Sequence, residues 1–273
     1  MTPTELLDHH DSGLLWPDTT PASGDLGAAY QTALALRKLR QARGEQPRGY
    51  KIGFTNRQIW PLYQVWAPIW GTVYDSTLID CDDASAEAGQ LSLDRLCQPR
   101  LEPEAVFGFK TTPPADASLD SLFESLDWVA PGFEIVQSHR LGWKFKAAEG
   151  VADGGLHARL LVGRRQPVRA IASNAAGLQA ALAGATVALQ CDGAPIASGQ
   201  GANVLGSPLD ALLHFLIELR ACPGAPDIQS GDLVTTGTWT DAFPVQAGQT
   251  WCADFSAPLK PLTLKFITVT PRG

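Results

Sequence analysis

The 273-residue chain has no excess of basic residues: 21 Lys and Arg stand against 28 Asp and Glu, a formal charge of −7. A chain of that sign is poorly suited to gripping phosphate backbones, so nucleic acid is not an expected partner. There is no CxxC pair. The five cysteines, Cys81, Cys97, Cys191, Cys222 and Cys252, are odd in number and widely spaced. That argues against a disulfide framework or a zinc ribbon and leaves free thiols in a reducing cytoplasm as the expectation. No window approaches the roughly 18 apolar residues of a membrane span. The start, MTPTELLDHHDSG, has no basic segment followed by an apolar one, so no signal peptide is expected. Internal repeats and low-complexity tracts are also missing. Charged residues make up only 18% and apolar ones 45%, which excludes a disordered chain.

What is abundant is glycine and proline, 26 and 20 residues, a load that favours strands, turns and long loops. Residues 1–24 read as a lead-in, with His9 and His10 solvated. Residues 25–43 read as a helix capped by Ser23 or Asp25 and ended by Gly44. Seven basic residues and the single acidic Glu45 lie between Arg37 and Arg57, a positive region suited to admitting an anion. The run Tyr50-Lys51-Ile52-Gly53-Phe54 reads as a strand carrying an inward lysine. After it comes an irregular stretch with Trp60, Tyr63, Trp66 and Trp70, a candidate lid or pocket wall. Residues 118–129 read as an amphipathic helix with Leu119, Leu122, Leu126 and Val129 inward, followed by a strand over 130–139. Further helices are expected at 174–184 and 207–220, the second with Ser207 as its cap, Pro208 in its first turn and His214 as a packed side chain. Asp192-Gly193 marks a hairpin, and strands are expected at 232–239 and 251–269. The best division is an N-terminal helical and mixed portion over 1–80 and a β-rich catalytic body over 81–273.

Chemistry enters with RLEPEAVFGFK at 100–110. In a strand, Glu102, Glu104 and Val106 share one face, and Leu101, Pro103 and Ala105 share the other. Pro103 suggests an edge or irregular position. Two carboxylates on one face repel, and an apolar flank worsens it. A divalent cation between them is the simplest remedy. Glu134, set in the apolar FEIV run, is a plausible third ligand, and an all-oxygen set suits Mg²⁺ or Mn²⁺. His139, five residues beyond Glu134, and His157 remain ambiguous.

The blocks GYKIGFT (49–55), GTVYD (71–75), RLEPEAVFGF (100–109), PGFEIVQSH (131–139), GANVLGSPLDAL (201–212) and GDLVTTGT (231–238) occur in one order. In that order and spacing the chain resembles the fumarylacetoacetate hydrolase superfamily. Within it, the resemblance is to the branch of 2-oxopent-4-enoate (2-hydroxypentadienoate) hydratases and 4-oxalocrotonate decarboxylases. The resemblance implies an α+β fold: a mixed β-sandwich or barrel-like body with a smaller helical N-terminal part. It implies Glu102, Glu104 and Glu134 as ligands of Mg²⁺ or Mn²⁺, and Lys51 and Asp75 as acid–base residues. It implies Gly237 and Thr238 at the substrate carboxylate, and a homo-oligomer. The chain departs from the family at Phe54-Thr55-Asn56, at GVADGGLHA around Asp153 and in its Trp-rich 60–70 stretch.

A 2-oxo acid offers a carboxylate and a keto oxygen to one metal, which stabilises the enolate formed when a proton leaves. A lysine on an apolar strand can have a depressed pKa and exchange protons near neutrality, the role expected of Lys51. Hydration of a 2-hydroxy-2,4-dienoate in aromatic-compound catabolism is the first reading. Decarboxylation of the 4-oxalocrotonate type is the alternative, and an added basic group in the pocket, with Arg57 and Arg140 as candidates, would favour it. A C–C bond hydrolase is disfavoured because no histidine lies between Lys51 and Glu104. A non-catalytic assembly partner is disfavoured by the intact Lys51, Asp75 and glutamates. The tryptophans suggest an apolar wall and a longer substrate tail.

Overall fold

The computed structural model describes residues 1–18, 24–81 and 89–267; Ser23, one of the two candidate caps, lies outside them. The helices are α1 (Pro3–Ser12), α2 (Leu26–Ala42), α3 (Trp60–Tyr63), α4 (Leu119–Ser125), α5 (Ala147–Ala152), α6 (Val168–Ile171), α7 (Ala175–Gly184) and α8 (Pro208–Ala221). The strands of the first half are β1 (Pro47–Gly53), β2 (Ile69–Tyr74), β3 (Leu78–Asp80), β4 (Gly89–Ser92), β5 (Arg100–Phe109) and β6 (Leu126–Val136). Those of the second half are β7 (His157–Val162), β8 (Gln166–Pro167), β9 (Thr186–Cys191), β10 (Ala194–Gln200), β11 (Leu233–Thr235), β12 (Phe243–Pro244), β13 (Thr250–Phe255) and β14 (Leu262–Ile267). A large mixed sheet runs β2-β1-β11-β5-β6-β7-β3, with β12 on β5 and β8 on β6. It crosses residue 80, since β1 and β2 precede that point. A smaller sheet runs β10-β9-β13-β14-β4.

Local chemistry explains most element ends. Asp25 caps α2 by accepting from Gly27 N at 2.9 Å. Ser207 accepts from Asp210 N at 3.1 Å, and Pro208 opens α8. Asp192 and Gly193 take left-handed conformations in the two-residue turn between β9 and β10, as such hairpins require. The supposed lead-in contains a helix: Thr2 and Glu5 cap each other reciprocally at the start of α1, and Pro3 occupies its first position. Around Trp60 the chain winds one short helical turn, α3, where only irregular structure was expected.

Two corrections concern the strands that carry the glutamates. The helix expected over 118–129 stops at Ser125. Leu126 and Val129 are buried in β6 instead, because β5 and β6 pair from Arg100↔Val136 to Phe109↔Leu126. A ten-residue strand needs a partner of that length, and its hydrogen bonds and side-chain contacts override the local helical spacing. Pro103 does not mark an edge, for β5 is central. Its carbonyl accepts from Trp239 N at 3.0 Å, so its nitrogen faces the same side. There β11 pairs at 106–108 and β12 at 100–101, leaving a gap in which no ladder hydrogen bond is lost. Near β11 the extended run is also shorter than 232–239, covering only Leu233–Thr235.

Alternation along β5 and β6 sorts their side chains. Leu101, Phe107, Phe133 and Ile135 face the main core with α4, α7, α8 and the smaller sheet. Val106 and Ala130 face a second apolar cluster with Val73, Leu160 and Leu233. Glu102, Glu104 and Glu134 share that second face. Beside them, Gly71 pairs with Lys51, and a Cβ at Gly71 would lie 2.0 Å from Gly154 O. Gly71→Ala should therefore cost about 2 kcal/mol or more and lower the melting temperature by roughly 5 °C; calorimetry that finds no change would show that the 154–156 loop moves freely.

Candidate active site

The register of β5 and β6 sets Glu102 directly opposite Glu134, with Glu104 two residues along the same face. Like charges facing each other across a pair destabilise a sheet, and here Glu104 and Glu134 are fully buried. Their oxygens divide the same way. Glu104 Oε2 accepts from Gly237 N at 2.7 Å and from the Thr235 hydroxyl. Glu134 Oε1 faces His157 Nδ1 at 2.9 Å. The other oxygens, Glu104 Oε1 and Glu134 Oε2, have no hydrogen-bond partner. One carboxylate oxygen from each of the three glutamates lies within 4.8 Å of the other two. The set can hold a cation.

Burial, only partly relieved by Lys51, leaves Glu102 and Glu134 with pKa values pushed up to about 7, and the charge of Glu134 adds to the rise at Glu102. Glu104 is raised well above its ordinary range by the same desolvation and by both neighbours. Lys51 is buried on β1, its Nζ donating to Gly155 O at 3.0 Å and lying 3.2 Å from Glu134 Oε2. The latter is an ion-pair distance outside hydrogen-bond geometry, so Oε2 has a charged neighbour but no hydrogen-bond donor. The depressed pKa expected for Lys51 is not found. Burial pulls it down, but Glu134, Glu102 and Glu104 outweigh burial and raise it. Lys51 rests as an ammonium.

Other expectations are redistributed. Gly237 has φ of +98°, and a Cβ there would lie 2.0 Å from Thr55 Oγ1, so the position demands glycine. Its N–H serves Glu104. Thr238 lines the cavity, its Oγ1 accepting from Thr240 N at 3.2 Å. Asp75 is not brought to the glutamates. It is exposed beyond the end of β2, four residues from Gly71, and its Oδ1 accepts from Gln46 N and Ser76 N. Arg57 lies near His214 on the exterior, and Arg140 pairs with Glu149. The arginine that lines the cavity is Arg100, on the same face of β5 as Glu102. Trp70 is buried against Tyr30, Trp66 is exposed and Trp60 donates to Phe54 O at 2.6 Å. None of the three lines the cavity of about 490 Å³ above Glu102.

The two ambiguous histidines separate. His157 joins Glu134 to Thr77, whose hydroxyl lies 2.9 Å from Nε2. Burial and the nearby Lys51 push its pKa well down, so it is neutral and donates from Nδ1 to the carboxylate. The pairing of β6 with β7 puts His157 opposite Val136, two residues from Glu134 and on its face; no spacing within one segment signals this. His139 lies elsewhere, bonded through Nδ1 to Asp153 Oδ1 at 2.7 Å. His10, expected to be solvated, reaches the same oxygen at 3.1 Å and is nearly buried.

No sequence-family profile matches the chain. Curated relatives do. The chain is 31% identical over 221 residues to 2-hydroxyhexa-2,4-dienoate hydratase of Comamonas testosteroni, covering 81% of this chain and 78% of the relative. The chain belongs to the hydratase–decarboxylase branch that its sequence resembles. Within that branch it is 28% identical over 248 residues to 4-oxalocrotonate decarboxylase of Pseudomonas sp. strain CF600, covering 89% and 85% of the two chains. The α+β architecture of the branch matches 4-oxalocrotonate decarboxylase from Pseudomonas putida G7, solved with magnesium and adipate. That match has a TM-score of 0.83 at 23% identity and covers 97% and 95% of the two chains. Fumarylpyruvate hydrolase from Pseudomonas aeruginosa, solved with Mn²⁺ and pyruvate, matches with a TM-score of 0.57 at 15% identity, covering 82% and 90%. Among the described residues no helix is long and apolar enough to cross a membrane.

The carboxylate pKa values carry a sign. Glu102 and Glu134 hold protons in the fold up to about pH 7, but the unfolded chain releases them near 4.5. Between those values the folded chain binds more protons, so stability falls as pH rises. In EDTA, the unfolding free energy should decline from about pH 5 to 8, and Glu102→Gln should flatten the decline. Urea titrations with parallel slopes for both proteins would contradict this.

Proposed function

We propose that the chain is a divalent-metal-dependent hydratase that adds water to a 2-hydroxy-2,4-dienoate and yields a 4-hydroxy-2-oxo acid, in the breakdown of aromatic compounds. The observation that carries the reading is the pair of buried oxygens without a hydrogen-bond donor, one on Glu104 and one on Glu134, beside Glu102. Three carboxylates and Lys51 sum to −2, which one divalent ion neutralises. Oxygen donors alone suit Mg²⁺ or Mn²⁺, and relatives in the branch are named as hydratases.

When bound, the ion draws electron density from the carboxylate and keto oxygens of a 2-oxo acid. The rest falls to the chain's own residues. Lys51, resting as an ammonium, delivers a proton to C5 of the dienol while the enol hydroxyl proton is released to solvent, giving a conjugated enone. As the free amine it then takes a proton from the water whose oxygen bonds to C4, and C3 takes up a proton from solvent. Gly155 O and Glu134 hold its Nζ in place. Thr238 hydrogen-bonds the substrate carboxylate, whereas Gly237 keeps Glu104 oriented. Asp75 is left out of the proton path because it lies beyond the end of β2. His157 fixes Glu134 through Oε1, which would leave Oε2 to hold the ion.

A 4-oxalocrotonate-type decarboxylase is the second reading. Arg100 favours it, as a cavity-lining guanidinium 4.3 Å over the Trp143 ring, able to take a second substrate carboxylate. Self-association belongs to the proposal, supported by Leu62 and Trp66, each 76% exposed. A cytoplasmic location is supported by the five free cysteines.

With Mg²⁺ or Mn²⁺, 2-hydroxypenta-2,4-dienoate should give 4-hydroxy-2-oxopentanoate, and EDTA, Glu104→Gln and Lys51→Met should each reduce the rate at least about 100-fold. Carbon dioxide from 4-oxalocrotonate, abolished in Arg100→Leu, would establish the second reading instead. For the metal assembly itself, His157→Phe should weaken Mn²⁺ binding about 10- to 100-fold by calorimetry, and His157→Gln, which keeps a donor, should recover part of it. Unchanged affinity in both variants would remove His157 from the assembly.

A further inference from the structure

One wall of the cavity is built from aromatic rings that the proposed chemistry does not use. Phe54 stacks on Tyr63 at a centroid distance of 4.5 Å, and Tyr63 on Phe145 at 5.4 Å. Phe145 meets Trp143 at 6.1 Å. All four line the same cavity as Lys51 and Glu102, and each is only partly buried. An aromatic surface therefore leads away from the carboxylate floor, stacked from Phe54 to Phe145 and ending at Trp143, whose ring carries the Arg100 guanidinium at 4.3 Å.

The wall is held in place. Phe54 and Trp143 have φ of +58° and +61°, a left-handed conformation that bulky residues avoid unless the surroundings enforce it. The enforcing bonds are visible. Trp60 Nε1 donates to Phe54 O, and Trp143 Nε1 donates to Gln98 O at 3.0 Å. The preceding residue, Gly142, donates from N to Gln98 Oε1 at 2.7 Å. Two of the four rings thus sit in unfavourable backbone conformations and face the cavity. Phe54 also packs at the edge of the Ala29, Ile69 and Val151 cluster, whereas Trp143 belongs to no apolar cluster among the described residues.

We propose that Phe54, Tyr63, Phe145 and Trp143 form a subsite for the substrate tail, selecting 2-hydroxydienoates with an aryl or extended alkenyl substituent over the unsubstituted five-carbon acid. The inference rests on the hydratase reading for the identity of the reacting end. The physical basis is independent of it. A planar conjugated tail stacks on rings with offset geometry and removes their apolar area from water. A cavity of about 490 Å³ falls in the range that takes ligands well beyond a five-carbon acid.

The test compares kcat/KM for 2-hydroxy-5-phenylpenta-2,4-dienoate and 2-hydroxypenta-2,4-dienoate on the metal-loaded protein. The ratio should favour the phenyl substrate by about tenfold or more, and it should collapse toward one in Tyr63→Ala and Phe145→Ala. A second cavity is also lined by Tyr63, Trp143 and Phe145, so these truncations enlarge existing space. Tyr63→Leu, which keeps an apolar side chain without the ring, guards against a folding artefact and should retain only part of the preference. Equal turnover of both substrates by the wild type would overturn the subsite and leave the hydratase reading standing. A preference for a tail ending in a carboxylate would also overturn it, in favour of a charged tail read by Arg100. If neither dienoate reacts, binding decides. Phenylpyruvate should quench the tryptophan fluorescence of the Mn²⁺-loaded protein at about a tenth of the pyruvate concentration. That result keeps the subsite while the hydratase reading falls; equal midpoints sink both.

Discussion

Three carboxylates on one buried face of a sheet, with a single ammonium beside them, are the constraint around which the rest of this molecule is arranged. Desolvation and mutual repulsion both oppose ionisation there. The chain answers with fixed donors on one side of each buried carboxylate: Gly237 and Thr235 for Glu104, and His157 for Glu134. The remaining oxygens are left for something positive. Each donor in turn imposes a demand. Gly237 can carry no side chain because Thr55 lies against it. His157 needs Thr77 behind it. Lys51 needs Gly155 O, and thus the left-handed residues 154–156.

The cavity has two kinds of surface with separate duties. Its floor is electrostatic and built on β1, β5, β6 and the segment after β11, elements held by paired strands. Its aromatic wall comes from the segments after β1 and around 143–145, which are connections. Rigid sheet positions suit groups whose spacing sets a reaction, and connections are where side chains can change while the sheet stays the same.

Much of the site could be read locally. Alternation in RLEPEAVFGF put Glu102 and Glu104 on one face, and the apolar run around Glu134 suggested a buried carboxylate; the structure brings all three together. Lys51 as an inward strand lysine was equally visible. The failures share a cause. Residues 126–129 have helical spacing, but pairing with β5 makes them strand. Pro103 looked like an edge marker, yet it fits a gap between two neighbouring strands. Arg100 was passed over for Arg57 and Arg140, and His157 could not be told from His139, because strand pairing and packing separate them.

Residue type and period two along a strand are short-range properties. They specify which side chains share a face, where helices are capped and where a hairpin turns, because those energies depend on neighbours within a few residues. Which strands pair, and in what register, depends on contacts between segments far apart in the chain. Only that pairing sets Glu134 opposite Glu102, brings His157 to Glu134 and leaves Asp75 outside. It also decides the charge state of Lys51. A lysine among apolar neighbours would tend to lose its proton, but three carboxylates delivered by other strands outweigh the burial and keep it charged.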